Sequence, residues 1–418
     1  MAIDYDLVVL GMGSYAQQLV LAAAKLEARV AWVCHQETPA NHLNISQIRQ
    51  VFSILKNNLQ RYPRQKRREI FYRESIPVLN RFAQSELLEN VQDAGVDVIV
   101  GTWKFHKLPQ SKVSPLLEVK GFNSRQLRAR AYAIANDYVT NSIDVSKFDG
   151  LTENSYLTVN QLLDLENLPD SVTLIGNDSY TCEIAQAVNF LGIKTTLITT
   201  HNHILPNIDI AIARTLQAQL EIEGIEVYTQ TKVTAIESIA NGCVKIWTDH
   251  QILECDRLLL ANNPQTESFP NHPHIYPCHH DLDIHKTINK TLQTNFGKSI
   301  KVVNNNITYI ATTPPISQVG TMQTLDAKNV HILESSSELG LCKVLCDRQG
   351  QILGASILGD RSKILIEAIN IAIQGKVKVQ DVGIEDLQLK AQWQAVHESR
   401  GDRDRLKDWF TFRRDWNL

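Results

Sequence analysis

The stretch DYDLVVLGMGSYAQQLVLAAAKLEARVAWVC, residues 4–34, carries the reading of the whole chain. The apolar residues Leu7, Val8, Val9 and Leu10 run into Gly11-Met12-Gly13-Ser14-Tyr15-Ala16. An Ala- and Leu-rich helical stretch follows to about Ala28, then a second apolar run, Val30-Ala31-Trp32-Val33. A buried strand, a crossover helix and a neighbouring parallel strand appear in that order in a Rossmann β-turn-α-β unit. In such a turn the first glycine reverses the chain tightly and the second lets backbone N–H groups approach a pyrophosphate. The third position lets helix pack on strand. Gly11, Gly13 and Ala16 fill those places and are the candidate cofactor-binding residues. The same pattern asks for an acid at the end of the second strand, to take ribose hydroxyls. Cys34 stands there, with Glu37 beyond it, so the acid is missing or displaced.

A chain of 418 residues can bury two or three cores. Its net charge of −3 removes the electrostatic basis for nucleic-acid binding, which we do not expect. No apolar run is long enough for a transmembrane helix. The first strand begins too soon after Met1 for a secretory or transit peptide to precede it, so the sequence reads as cytoplasmic. The seven cysteines are scattered and lack paired zinc spacing, which describes reduced thiols. Cys342 and Cys346 fall on one face of an expected strand, roughly 13 Å apart, too far to pair directly.

Further along, residues 44–61 place Ile45, Ile48, Val51, Phe52 and Leu55 at helical spacing. The run RYPRQKRREIFYRE, residues 61–74, reads as a solvated helix face, with an anionic partner as the alternative. A helix is expected over 79–94, strands over 96–101, 116–120 and 131–139, and a linker over 140–169. A second unit of the first kind then appears. It consists of a strand at 171–175, the turn Gly176-Asn177-Asp178-Ser179-Tyr180-Thr181, a helix over 182–191 and a strand at 194–198. Two such units make an internal repeat.

The repeat, with LPDSVTLIGNDSYTCEIAQAVNFLGIKTTLI (168–198), TTPPISQVG (312–320) and GLCKVLCDRQGQILGASILGDRSKILIEAINIAIQ (340–374), resembles the FAD- and NAD(P)-linked disulfide reductases. That is the family of dihydrolipoamide dehydrogenase, glutathione reductase and mercuric reductase. The resemblance implies an α/β fold with two Rossmann-like dinucleotide-binding domains. The FAD-type domain would span 1–150 and the NAD-type domain 151–265, with 266–305 returning to the first. A C-terminal α+β dimerisation domain over 306–390 would make a homodimer, followed by an aromatic and basic tail over 391–418.

Departures from the family pattern fall on its functional positions. The redox-disulfide segment corresponds to residues 41–51, where His42 and Gln47 stand in the cysteine places and Val51 in that of a lysine. Ala135-Asn136-Asp137-Tyr138 replaces Ala-Thr-Gly-Ser beside the flavin nucleotide. The Ala-Gly-Asp segment falls on residues 275–280, and its Asp has become a histidine. Ala261-Asn262-Asn263-Pro264 has lost the arginine of Gly-Arg-x-Pro, and His397-Glu398 lacks the spacing and proline of the acid–base histidine motif. Asp178 takes the place of the second glycine of the NAD turn, either closing it to a pyrophosphate or simply capping the helix. On either reading we expect neither nicotinamide nucleotide to bind.

These changes together imply a non-catalytic dimeric binding or scaffold protein with no catalytic residue. We expect no bound cofactor, with FAD at Gly11, Gly13 and Ala16 left open. The alternative is an FAD-dependent NAD(P)H oxidoreductase acting on a non-disulfide acceptor such as a quinone. His272, His274, Cys278, His279, His280, Asp281 and His285 match no fixed zinc motif and read as a polar loop without metal. In the tail, Trp393, Trp409, Phe410 and Trp416 have the character of protein-interface anchors, or pack on their own dimer.

Overall fold

In the first Rossmann unit, β1 (Tyr5–Leu10), α1 (Ser14–Ala24) and β2 (Val30–Cys34) follow the expected order. The computed structural model describes residues 3–11, 14–34, 43, 45–80, 91–106, 114–121, 124–135, 155–239, 242–261, 272–278, 307–320, 322, 330–337 and 340–383. Helix α1 stops short of Ala28, because Glu27 takes a left-handed φ of 59°, which breaks the hydrogen-bond ladder.

Next come α2 (Ile45–Leu59), α3 (Arg64–Asn80), β3 (Asp97–Phe105), β4 (Leu116–Gly121) and β5 (Arg125–Ile134). Strand β14 (Ile275–Pro277) returns much later to the same sheet. In its parallel part β3, β2, β1, β5 and β14 lie side by side, and β3 and β5 extend beyond it to pair antiparallel with β4. Alternate residues of β1 go to opposite faces. Leu7 and Val9 join Ala16, Leu19 and Val20 of α1, while Val8 and Leu10 pack with Leu117, Leu127 and Tyr132. Of the helix expected over 79–94, Leu79 and Asn80 instead end α3, Val91 to Asp93 are helical as expected, and residues 81–90 lie outside the described residues.

The expected linker is not irregular throughout. It holds β6 (Tyr156–Thr158) and the short α4 (Val159–Leu163), started by a Thr158–Gln161 capping box. The second unit consists of β7 (Ser171–Ile175), α5 (Ser179–Phe190), β8 (Lys194–Ile198), α6 (Ile210–Ile222) and β9 (Glu226–Tyr228). An antiparallel meander of β10 (Val233–Ser238), β11 (Val244–Thr248) and β12 (Ile252–Cys255) precedes β13 (Arg257–Leu260). The sheet order is β6-β13-β7-β8-β9.

The basic run is not simply a solvated face. Arg67 stacks its guanidinium 4.0 Å from the centroid of the Phe190 ring and donates to the Phe190 carbonyl at 3.2 Å. Arg64 donates to Asn189 Oδ1 at 2.6 Å, and Arg68 pairs with Asp170. Cations are favoured at the C-terminal end of a helix, where the last carbonyls lack intrahelical partners, and α5 ends there.

The third sheet is antiparallel, in the order β15 (Thr308–Ile310), β16 (Ile316–Gly320), β19 (Ile352–Leu358), β18 (Gly340–Asp347) and β17 (Val330–Ser337). Helix α7 (Ser362–Gln374) covers one face with Leu365, Ile366, Ile369 and Ala372. Gly340 is required where β18 begins: its φ is +121°, and a Cβ there would lie 1.8 Å from the Leu358 carbonyl oxygen. The chain forms two compact units. One comprises Met1–Gly176, Ala187–Ile198 and Thr231–Val302; the other comprises Asn177–Gln186, Thr199–Gln230 and Val303–Leu418.

Candidate functional site

The first candidate site is the turn after β1. Gly11 has a φ of +115°, a conformation open to glycine. Its N–H donates to the Val33 carbonyl at 3.1 Å, and its carbonyl accepts the Trp32 indole N–H at 2.8 Å. Ala16 is fully buried, as close helix packing on the strand requires. Gly13 lies outside the described residues. At the end of β2 the side chain of Cys34 is 2% exposed, and burial pushes its thiol up to about 11. It shares an apolar cluster with Ala16, Ala135 and Cys278. A neutral, buried thiol cannot replace a carboxylate that holds ribose hydroxyls. Gly11 and Ala16 keep the backbone conformation and the packing of a Rossmann turn, while a buried thiol stands where the ribose acid is expected.

In the segment corresponding to the redox disulfide, Leu43 is buried and Val51 is buried within α2. Asn160 grips the Leu43 backbone at two points. Its Oδ1 accepts the Leu43 N–H at 2.8 Å, and its Nδ2 donates to the Leu43 carbonyl at 3.1 Å. Sequence reasoning missed Asn160, since nothing in a lone Asn within an expected linker signals a partner 117 residues away. His42 lies outside the described residues, and Gln47 is half-buried.

The second candidate site is the turn before α5. The Asp178 Oδ1 accepts the N–H of Tyr180 at 2.9 Å and of Thr181 at 3.1 Å, while its Oδ2 accepts the Thr181 hydroxyl at 2.7 Å. Those N–H groups are the ones a Rossmann turn offers to a pyrophosphate. Thr181, in the third glycine place, is buried. Beyond β8, the Thr199 hydroxyl accepts the His201 N–H at 3.1 Å, and Asn177 Nδ2 lies 2.7 Å from His201 Nδ1. A nicotinamide dinucleotide does not fit this donor set, which its own carboxylate already satisfies.

Farther along α5, Glu183 Oε1 accepts the Ala311 N–H at 2.8 Å. The Gln186 carboxamide bonds Thr313 twice, accepting from its N–H and donating to its carbonyl, both at 2.7 Å. It also meets the Glu223 carboxylate at 3.0 and 2.9 Å. These contacts tie α5 to the strand-bound segment before β16, a role that sequence reading did not assign.

None of the seven cysteines is in a disulfide, and all but Cys243 are buried. Burial raises Cys255 to about 11 and Cys342 and Cys346 to about 12, and it pushes Cys182 well above the ordinary thiol range. Cys342 and Cys346 occupy separate rungs of β18, opposite Ile357 and Ile352. The histidine-rich stretch is not a simple loop: it contains β14, which extends the first sheet, and His272 and Cys278 are buried. The His274 ring nitrogen lies 2.8 Å from the Arg130 carbonyl. Among the described residues no group of three potential metal ligands converges. His279, His280, Asp281, His285, Asn136 to Tyr138, Asn262 to Pro264 and the tail from 391 lie outside the described residues.

Two Rossmann sheets in tandem, followed by an antiparallel sheet under one helix, define the two-dinucleotide reductase class. Residues 5–300 match the pyridine nucleotide-disulphide oxidoreductase family and residues 309–386 its dimerisation domain, and the chain belongs to that family. It is 23% identical to the mercuric reductase of Bacillus cereus over 273 residues, which are 62% of this chain and 41% of that protein. It is 29% identical to the dihydrolipoyl dehydrogenase of Bacillus subtilis over 172 residues, covering 40% and 35% of the two chains. The match spans half or less of the length of such curated relatives. The fold superposes with a TM-score of 0.71 on the Cu(II) complex of the HOCl-induced flavoprotein disulfide reductase RclA from Escherichia coli. There the identity is 19%, over 95% of this chain and 100% of the other. Among the described residues no helix is long and apolar enough to cross a membrane.

Proposed function

We propose that the protein is a homodimer that works by binding and does not carry out the dithiol chemistry of its family. The state of its thiols carries this reading. Reducing a disulfide takes two thiols within bonding reach, one of them ionised enough to attack. Here the cysteines are dispersed and all but one are buried. A thiol held at about 11 is ionised in only about one molecule in ten thousand at neutral pH. Supplied with NADH or NADPH and a small disulfide such as lipoamide or oxidised glutathione, the protein should show no turnover; sustained reduction of either disulfide would refute the proposal. Dimerisation is supported by the family match and by α7, where Ile364 and Ile371 are 67% and 70% exposed two turns apart on one face. Light scattering should give about twice the 47.2 kDa chain mass. The aromatic tail is our candidate for the protein contact. Deleting residues 391–418 should abolish partner capture and leave the fold intact.

A second reading, an FAD-dependent NAD(P)H oxidoreductase acting on a non-disulfide acceptor such as a quinone, is favoured by one observation. The first turn keeps Gly11 left-handed and Ala16 buried. FAD, when bound, would supply electron transfer, with the turn that Gly11 opens meeting its pyrophosphate and Ala16 letting α1 pack on β1. The visible absorbance of the freshly purified protein separates the two readings.

A further inference from the structure

We propose that Asp178 is an intramolecular stand-in for the dinucleotide pyrophosphate, so that the second Rossmann unit is closed by its own carboxylate and takes neither NADH nor NADPH. This goes beyond the binding reading, which concerns the thiols, and it stands or fails separately from it.

A Rossmann turn binds an anion because the first N–H groups of its helix have no intrahelical partner and point at one spot. In this chain those partners are built in. One carboxylate oxygen accepts two of the N–H groups and the other accepts the Thr181 hydroxyl, at 2.7 to 3.1 Å. Tyr180 and Thr181 are each only 1% exposed, so the carboxylate sits over a packed helix start. An incoming pyrophosphate would have to displace all three bonds. Its charge would also face the carboxylate at about 5 Å, which at an effective dielectric near 20 lowers affinity on the order of a hundredfold. The ribose end offers no compensation. Thr199, Thr200 and His201 follow β8, with neither an acid for the ribose hydroxyls nor an arginine for a 2′-phosphate, and the Thr199 hydroxyl is engaged with the His201 N–H. The carboxylate does for the helix start what a phosphate does in a loaded unit, and the domain is finished without a cofactor.

The test uses the full-length protein, with NADH, NADPH and inorganic pyrophosphate as probes. Isothermal titration of the wild type should show no binding by any of them up to millimolar concentration. The variant Asp178→Gly/Thr181→Ala, which removes both the stand-in and the obstruction, should melt at lower temperature than the wild type. Pyrophosphate should raise that melting point while leaving the wild type unmoved. Asp178→Asn should stay folded, because the carboxamide oxygen still caps the helix, and should still bind no nucleotide. Micromolar binding of NADH or NADPH by the wild type overturns the inference, and so does a folded double variant indifferent to pyrophosphate. Should the double variant fail to fold, the wild-type and Asp178→Asn titrations decide alone. A failure here leaves the thiol assay untouched, since disulfide reduction is measured separately.

Discussion

Replacing Asp209 by alanine should be among the most damaging single changes in the second compact unit. Asp209 caps α6, its Oδ1 accepting the N–H of Ala211 at 3.0 Å and of Ile212 at 3.2 Å. The same oxygen lies 3.1 Å from Lys343 Nζ on β18, and both side chains are only 10% exposed. Loss of the cap costs about 1 kcal/mol. The larger cost is a buried ammonium left without its partner, and breaking such a pair costs about 3–5 kcal/mol. Glu334 recovers little of this, since its carboxylate is 4.0 Å from Lys343 and 53% exposed, and exposed pairs are worth at most about 1 kcal/mol. We therefore expect about 4 kcal/mol in total for Asp209→Ala.

Lys343→Met should cost less, about 1–2 kcal/mol, because the remaining carboxylate keeps its two N–H donors at a helix N-terminus, where negative charge is favoured. The double variant has no stranded charge and should be more stable than Asp209→Ala alone, giving a coupling of about 2 kcal/mol in a double-mutant cycle. Urea unfolding followed by circular dichroism at one fixed protein concentration measures all four species. If the loss in the double variant equals the sum of the two single losses to within about 0.5 kcal/mol, the pair is not coupled and the reasoning is wrong.

Other expectations are more quickly checked. Under native conditions, alkylation followed by mass spectrometry should label Cys243 and spare the six buried cysteines until denaturant is added. Because burial raises Cys34, Cys255, Cys342 and Cys346 to about 11 or 12 from an ordinary 9, their contribution to stability is complete below pH 9. It is lost as pH rises from there through the folded-state values, so stability should fall with pH in that window; a flat profile there would contradict their burial. Asn160→Ala removes both hydrogen bonds to the Leu43 backbone and should cost about 1–2 kcal/mol, with faster amide exchange at Leu43 and no change in the third sheet. Gly340→Ala should prevent normal pairing of β18 with β19, since its Cβ has no room against the Leu358 carbonyl and its φ is strained for any L side chain.

The parts of this fold that were legible in sequence are those whose partners are close along the chain or whose pattern is continuous. Strands β7 and β8 were readable to the residue, because the β-branched and aliphatic residues of SVTLI and KTTLI sit between clear turn residues on either side of one helix. Strand β5 was readable only from Ala131. Its first six residues, Arg125 to Arg130, alternate charge with a few inward side chains such as Leu127 and Ala129, and they become strand by pairing with β4 and with β1. Strand β6 has three residues and exists because β13, a hundred residues later, lies beside it. No local signal announces such a pairing.

The sites follow the same rule. That Cys34 and Asp178 stand where an acid and a glycine belong was plain from the turns themselves. What they do there is a matter of distant geometry and of burial. Cys34 turns inward to Ala16, Ala135 and Cys278, and its thiol is held neutral by the apolar cluster it joins. Asp178 turns back on its own helix and consumes the donors that define a nucleotide site. A sequence tells which chemical group occupies a position, but whether that group faces a ligand or replaces one depends on where its oxygens point. For Asp178 both oxygens are accounted for within three residues of the chain, and that closure is why titration of the intact protein with pyrophosphate tests the reading so directly.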